Sequence, residues 1–267
     1  MKANKNLFLP LCILSFVLCF TGCGSSLQDD GSQSTVPESE TGTEYVSDNT
    51  AQEQGSSSLS SDGQVPRDLT GLKLSILGDS ISTFDGYIPT DYNIFYPGSG
   101  EISTVEKTWW WQVLNATGME LNANASSSNT NITGDSLDTS GSAPGCSTKR
   151  MIDLTPGDDG PAPDILIVFM GTNDFLRSVE LGSFTAPSPQ DEGVVTNFCD
   201  AYELMLQKLA ALYPDAEIYF CTLLETSAGD VDDNPQAYPS TNKNGNTIGD
   251  FNAEIATIAS AYNYPVI

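Results

Sequence analysis

The stretch Asp164-Ile-Leu-Ile-Val-Phe-Met170 constrains this chain more than any other. A strand with one wet face alternates apolar and polar residues, whereas an unbroken apolar run is a strand covered on both faces. The sequence around it supplies partners of the right kind. Leu72–Leu77 is a short strand pattern running straight into Gly78, and Met119–Ala125 and Ala216–Leu224 read as further strands. Between them, Thr108–Gly118 reads as a helix stopped by glycine, and Val194–Leu212 carries apolar residues at helical spacing up to Pro214. Phe251–Tyr262 is another helix, and Tyr264–Ile267 begins one more apolar strand. Alternating strands and helices predict an α/β domain with a parallel sheet between helix layers. In such sheets chemistry gathers at the carboxyl ends of the strands.

The alternation starts only at Leu69. Residues 1–22 have the layout of an export signal, with Lys2 and Lys5 ahead of the apolar run Leu7–Phe20. Phe20-Thr21-Gly22-Cys23 resembles a bacterial lipobox, which implies cleavage before Cys23 and a lipid on that residue. The alternative is an ordinary secretory signal in which Cys23 is incidental. From Cys23 to Asp68 the chain is rich in Ser, Gly, Gln and Thr, with nine acids against one base, Arg67. With so few aliphatic residues it cannot offset its ordering entropy, so it reads as a disordered acidic tether. The domain itself is assigned to residues 69–267.

Charge and residue absences narrow the function. The formal net charge is -25, with 35 acids against 10 bases, which argues against nucleic acid as a partner. There is no histidine. That removes imidazole zinc sites and any Ser-His or Cys-His pair within these residues. No phosphate-binding glycine loop or dinucleotide fingerprint appears, so no cofactor is expected. Cys146, Cys199 and Cys221 are the cysteines of the domain, and buried free thiols are the plain reading.

Two strand ends carry polar clusters: Gly78-Asp79-Ser80-Ile81-Ser82 and Gly171-Thr172-Asn173-Asp174. A serine entered through glycine after a buried strand presents its hydroxyl at the sheet's reactive edge. An asparagine on a neighbouring strand end has an N–H to offer a developing oxyanion. Each cluster alone also fits turn and N-cap chemistry; their co-occurrence tips the reading towards catalysis. Together with ILGDSISTFDGYIP, EKTWWWQVL and DILIVFMGTNDF, they resemble the SGNH, or GDSL-type, esterase/lipase family over about residues 72 to 267. The resemblance implies a flavodoxin-like three-layer α/β/α sandwich, with Ser80 as nucleophile and Asn173 and the Ser80 N–H as oxyanion donors. It also implies a backbone donor after the second strand, where the family has glycine. Here that loop is Asn122-Ala-Asn-Ala-Ser-Ser-Ser-Asn-Thr130, and Ser128 is the best match by register, with Asn129 next. If the loop needs a positive φ, a serine there is strained. Gly134-Asp135-Ser136-Leu137 spells the family's letters but follows no apolar strand, so it reads as a polar loop.

The family's base is a histidine in an Asp-x-x-His motif after the last strand. Its absence, with an apolar ending at Ile267, reads as a C-terminal truncation inside an incomplete last strand, and the chain as given is expected to be inactive. The remaining features are less diagnostic. Of Trp109, Trp110 and Trp111, one or two are expected in the core. The aromatic loop Phe84–Gly98 is a candidate pocket wall, with a plain surface loop as the alternative. Asp230, Asp232 and Asp233 read as a solvated acidic loop rather than a Ca²⁺ site, lacking the spacing for one. The expectation is therefore an exported, membrane-tethered serine esterase or deacylase, lipid-anchored on the extracytoplasmic side and monomeric. It would cleave short acyl esters, with a polysaccharide ester as favoured substrate. The alternatives are an inactive surface lipoprotein that binds glycan and a lipase acting on small lipid esters.

Overall fold

The computed structural model describes residues 67–98, 102–157, 159–224 and 239–267. The export signal, Cys23, the tether up to Pro66, and Asp230, Asp232 and Asp233 lie outside the described residues.

Four parallel strands form the main sheet: β1 (Lys73–Gly78), β2 (Glu120–Asn124), β4 (Ile165–Phe169) and β6 (Glu217–Phe220), in the order β2-β1-β4-β6. Val266 bridges Phe220 in parallel, with Ile267 N–H donating to Phe220 O at 2.8 Å, so the apolar ending does lie where a fifth strand would. Every residue of β4 is buried. Leu166 and Val168 face one core cluster while Ile165, Ile167 and Phe169 face the other. The two-sided burial expected of the unbroken run is thus realised by a strand sandwiched between apolar layers.

The helices divide accordingly. Trp110, Val113 and Leu114 of α1 (Trp109–Thr117) belong to one cluster. The buried faces of α2 (Thr148–Ile152), α4 (Phe198–Leu212) and α5 (Ile248–Ala261) belong to the other. The chain leaves β1 through α1 towards β2, whereas after β4 it runs through α4 and α5 in the other direction. The sheet therefore reverses its winding between β1 and β4. That is the switch point at which a parallel sheet opens a crevice beyond its carboxyl ends.

Two boundaries differ from the sequence expectation. Val194 and Val195 are not helical; as β5 (Val194–Val195) they pair antiparallel with β3 (Gly134–Asp135). Asn197 then N-caps α4 by accepting from Asp200 N–H at 3.0 Å, which sets the start at Phe198. At the other end, a Thr247–Asp250 capping box starts α5 at Ile248, ahead of the expected Phe251.

Candidate active site

Ser80 opens a one-turn 3₁₀ helix, Ser80–Ser82, directly beyond β1, and is half-buried. The turn packs tightly against the loop after β2, and glycine is required before it. A Cβ on Gly78 would lie 2.6 Å from both Ser126 Oγ and Ser82 Cβ. Three donors fasten the turn's far end. Trp110 Nε1 and Asn124 Nδ2 reach Ser82 O at 3.0 and 2.8 Å, and Trp109 Nε1 reaches Ser82 Oγ at 3.1 Å. The tryptophan run thus serves as scaffold: Trp110 is fully buried, and the half-buried Trp109 and Trp111 flank it.

Asn173 stands in the opening turn of α3 (Thr172–Leu176), beyond β4 and next to β1 in the sheet. Gly171 permits the entry: its φ is +127°, and a Cβ would press on Phe198 and Leu223 at 3.1 and 3.2 Å. Asn173 Nδ2 donates to Thr130 O at 3.0 Å, which leaves its second amide hydrogen to offer. Beneath it, Asp174 accepts from Ile132 N–H, Thr133 N–H and Thr133 Oγ1 at 2.8, 3.1 and 2.8 Å. Burial nonetheless pushes its carboxyl up to about 6, against the pull of those donors. Asp79 is likewise buried and caps Ile81 N–H at 3.4 Å, while its Oδ2 has no partner among the described residues. Burial carries it up to about 7, with nearby Asp174 adding to the rise and Arg150 opposing it.

The loop after β2 departs from the expected register. Ser128 N–H is engaged by Asn93 O at 2.8 Å and is not free to meet an oxyanion. The positive φ falls on the next residue, Asn129, at +63°. Asparagine tolerates that region better than serine, so the strain anticipated for Ser128 is avoided by a shift of one residue. Ser136, in the look-alike motif, is fully buried; it donates to Glu192 Oε2 and accepts from Gly193 N–H at 2.8 Å. Its surroundings are the β3–β5 ribbon rather than the polar loop expected.

The aromatic loop does reach the site. Asn93 N–H donates to Ser127 Oγ at 3.1 Å, and Phe95 N–H donates to Thr83 Oγ1 at 3.0 Å. Thr83 Oγ1 in turn donates to Ser80 O at 2.8 Å. Residues 93–95 therefore span from the Ser80 turn to the loop after β2, bringing the Phe95–Tyr96 ring pair with them.

Sequence reasoning missed Arg150 altogether. Fully buried, it donates through Nε and Nη2 to Ala125 O at 2.9 and 2.7 Å, and through Nη2 to Gly78 O at 2.6 Å. Nη1 reaches Thr130 Oγ1 and Ala143 O at 3.1 and 3.0 Å. One guanidinium thereby joins the end of β1, the end of β2 and the residue whose carbonyl holds Asn173. The pair Lys149-Arg150 carries no sequence signal of this, since a basic pair on a short helix normally faces water.

Competing chemistry is weak elsewhere. Cys146, Cys199 and Cys221 are buried free thiols, each pushed up to about 12 chiefly by burial, which leaves them unreactive. Among the described residues no group of three or more Cys, Asp or Glu side chains converges to hold a metal ion. An open depression between residues 184–187 and α5 has no titratable side chain in its lining.

Comparison with known proteins agrees with this geometry. The profile of the GDSL-like lipase/acylhydrolase family matches residues 72–234, which include both strand-end clusters. No curated protein matches the chain. Among solved structures, a protein of Bacteroides ovatus assigned to the GDSL-like lipases shares 25% identity at a TM-score of 0.54, covering 74% of this chain and 84% of its own. One from Bacteroides uniformis, assigned likewise, shares 25% identity at 0.54, covering 74% and 82%. The chain belongs to the GDSL-like lipase/acylhydrolase family, whose members are ester-hydrolysing enzymes.

Proposed function

We propose that Ser80 is the nucleophile of an esterase or deacylase that removes short acyl groups, with Asn173 as an oxyanion donor. The observation that carries this reading is the position of the two residues. Both stand at the carboxyl ends of adjacent parallel strands, at the point where the sheet reverses its winding. In the reaction, Ser80 Oγ gives its proton to a base and bonds to the ester carbonyl carbon. The carbonyl oxygen takes the charge and is received by the Asn173 amide, the Ser80 N–H and a backbone N–H from the loop after β2. Collapse expels the alcohol, which takes a proton from the base, and water then releases the acyl group as a carboxylic acid.

The base is not an imidazole of these residues, because none of the 267 is histidine. Added imidazole can take that part in solution, so the reading is tested with an aryl acetate and imidazole, using Ser80→Ala as reference. Imidazole-dependent turnover well above that of Ser80→Ala is expected. Equal rates in the two proteins would overturn the assignment.

We infer further that the natural substrate is an acyl ester of a carbohydrate polymer and that the protein is exported and anchored through a lipid on Cys23. The Phe95–Tyr96 pair, tied to the Ser80 turn, offers aromatic faces for a sugar ring. Release of acetate from an acetylated polysaccharide, exceeding release from a glycerol ester, is the expected result; the reverse order would favour a small lipid ester. Loss of labelled fatty acid on Cys23→Ser tests the anchor.

A further inference from the structure

The stretch 93–95 is fastened to the Ser80 turn through Phe95 and to the loop after β2 through Asn93, whose carbonyl also accepts from Ser128 N–H at 2.8 Å. Immediately before it stands Tyr92, which is only 4% exposed. The Tyr92 hydroxyl donates to Asp153 Oδ2 at 2.6 Å, at the C-cap of α2. Its ring centroid lies 5.0 Å from Lys149 Nζ and 5.2 Å from Arg150 Cζ. Lys149 Nζ also pairs with Asp153 at 2.9 Å and with Asp91 at 3.2 Å. On Asp91 the backbone closes up further: a Cβ on Gly141 would come within 1.7 Å of Asp91 O, and Gly141 O accepts from Ser127 Oγ at 2.7 Å.

These ties are unequal. An ion pair with a carboxylate as exposed as that of Asp91 contributes little. A phenol donating to a carboxylate makes one of the stronger hydrogen bonds. Burial, opposed by Arg150, pushes the phenol well above its ordinary range, so it remains a donor. Beyond it, Ile94 is 51% exposed between two neighbours whose N–H groups are both engaged. An apolar side chain on backbone fastened at both ends cannot recede before a bulkier ligand.

We propose that Tyr92 is a positioning residue whose bond to Asp153 fixes residues 93–95 as the wall of the site on the β2 side of Ser80, and that this wall selects against long acyl chains. It rests on the reading of Ser80 as nucleophile of a short-acyl esterase and gives that preference a structural cause.

The pin is tested without catalysis, by amide hydrogen exchange. Tyr92→Phe keeps the ring beside its two cations and removes only the hydroxyl, and Asp153 retains Lys149, so no charge is stranded. Exchange at Ser128 N–H and Phe95 N–H should quicken about tenfold, as expected when local opening no longer breaks a hydrogen bond to a charged group. The Asp250 N–H in the capping box of α5 should keep its rate. Asp153→Asn, which still offers the phenol an acceptor, should stay near wild type, whereas Asp153→Leu should match Tyr92→Phe. Unchanged exchange at Ser128 and Phe95 would overturn the pin. Equal acceleration at Asp250 would make Tyr92 a general stabiliser and overturn its positioning role.

Selection is read in imidazole-supported hydrolysis of an aryl acetate and an aryl octanoate. Tyr92→Phe should lower the acetate-over-octanoate ratio of kcat/KM about fivefold, through KM for the octanoate, a change of the size that apolar wall contacts command. The acetate kcat should stay within about twofold, because Trp110 and Asn124 hold the Ser80 turn and Thr130 O holds Asn173. Gly141→Ala, whose Cβ displaces Asp91 and leaves the phenol intact, should shift the ratio the same way. An unchanged ratio in Tyr92→Phe would overturn the wall's part in selection. Absence of Ser80-dependent turnover in the unsubstituted protein would overturn the Ser80 reading and the selection with it, while the exchange rates would still decide the pin.

Discussion

Replacing Arg150 by methionine tests how the reactive edge of the sheet is held. Methionine approximates the length of the arginine stem but donates nothing, so all five nitrogen–oxygen hydrogen bonds of the guanidinium are lost. Gly78 O keeps a donor in Ser127 N–H at 3.2 Å, and Thr130 Oγ1 still donates to Ser127 O at 2.8 Å. Ala125 O and Ala143 O lose the donors that reach them. Each buried acceptor left unmet costs about 1–3 kcal/mol. Against this, the desolvation of a fully buried guanidinium is no longer incurred, an effect of opposite sign worth several kcal/mol. The buried carboxyl of Asp79 must then do without the nearby positive charge that holds it down. The net expectation is a loss of about 3 kcal/mol, since removing one member of a buried charged network usually outweighs the desolvation saved. For a domain of this size that is a fall in Tm of about 6–12 °C, measured by thermal unfolding followed by circular dichroism. A Tm within about 2 °C of wild type would refute the view that this guanidinium fastens the strand ends together.

Two further perturbations address the same region. Asp79 has a folded-state value near 7 against an ordinary 3.8, so the folded protein favours its neutral form. Its contribution to stability is fully present below the ordinary value and is lost as the pH rises through about 7, Asp174 adding a similar slope up to about 6. In urea unfolding across pH 4.5 to about 8, Asp79→Asn should therefore flatten the decline seen in the wild type; an equally steep decline would mean that Asp79 is not the group responsible. Ser136→Ala removes a hydroxyl that bonds Glu192 and Gly193, and should cost about 1–2 kcal/mol while leaving imidazole-supported hydrolysis within about twofold. A large loss of hydrolysis at unchanged stability would show that the second Gly-Asp-Ser run takes part in catalysis.

Much of this was legible in the sequence wherever a local pattern coincides with a tertiary role. The unbroken run ending at Met170 implied burial on both faces, and β4 is buried throughout. Ser80 stood out because a glycine follows an apolar strand, and that glycine does allow the close approach of Ser126 and Ser82. Val194 and Val195 misled because apolar residues at helical spacing are compatible with a strand as well; their β-branched side chains suit β5, and Asn197 sets the helix start behind them. Motif register points to Ser128, but its N–H is taken by Asn93 O, far earlier in the chain. Arg150 was illegible for the same reason. Its acceptors are backbone carbonyls 25 and 72 residues away, and a carbonyl gives no sequence signal.

The most direct test of the central claim is to locate the acyl group. The protein is treated with an aryl acetate in the presence of imidazole, quenched in acid, digested and mapped by tandem mass spectrometry. The account predicts a single rapidly acquired acetyl group on Ser80, absent from Ser80→Ala. Acetylation confined to Ser136 or to surface lysines, with Ser80 unmodified and turnover unaffected by its replacement, would contradict it.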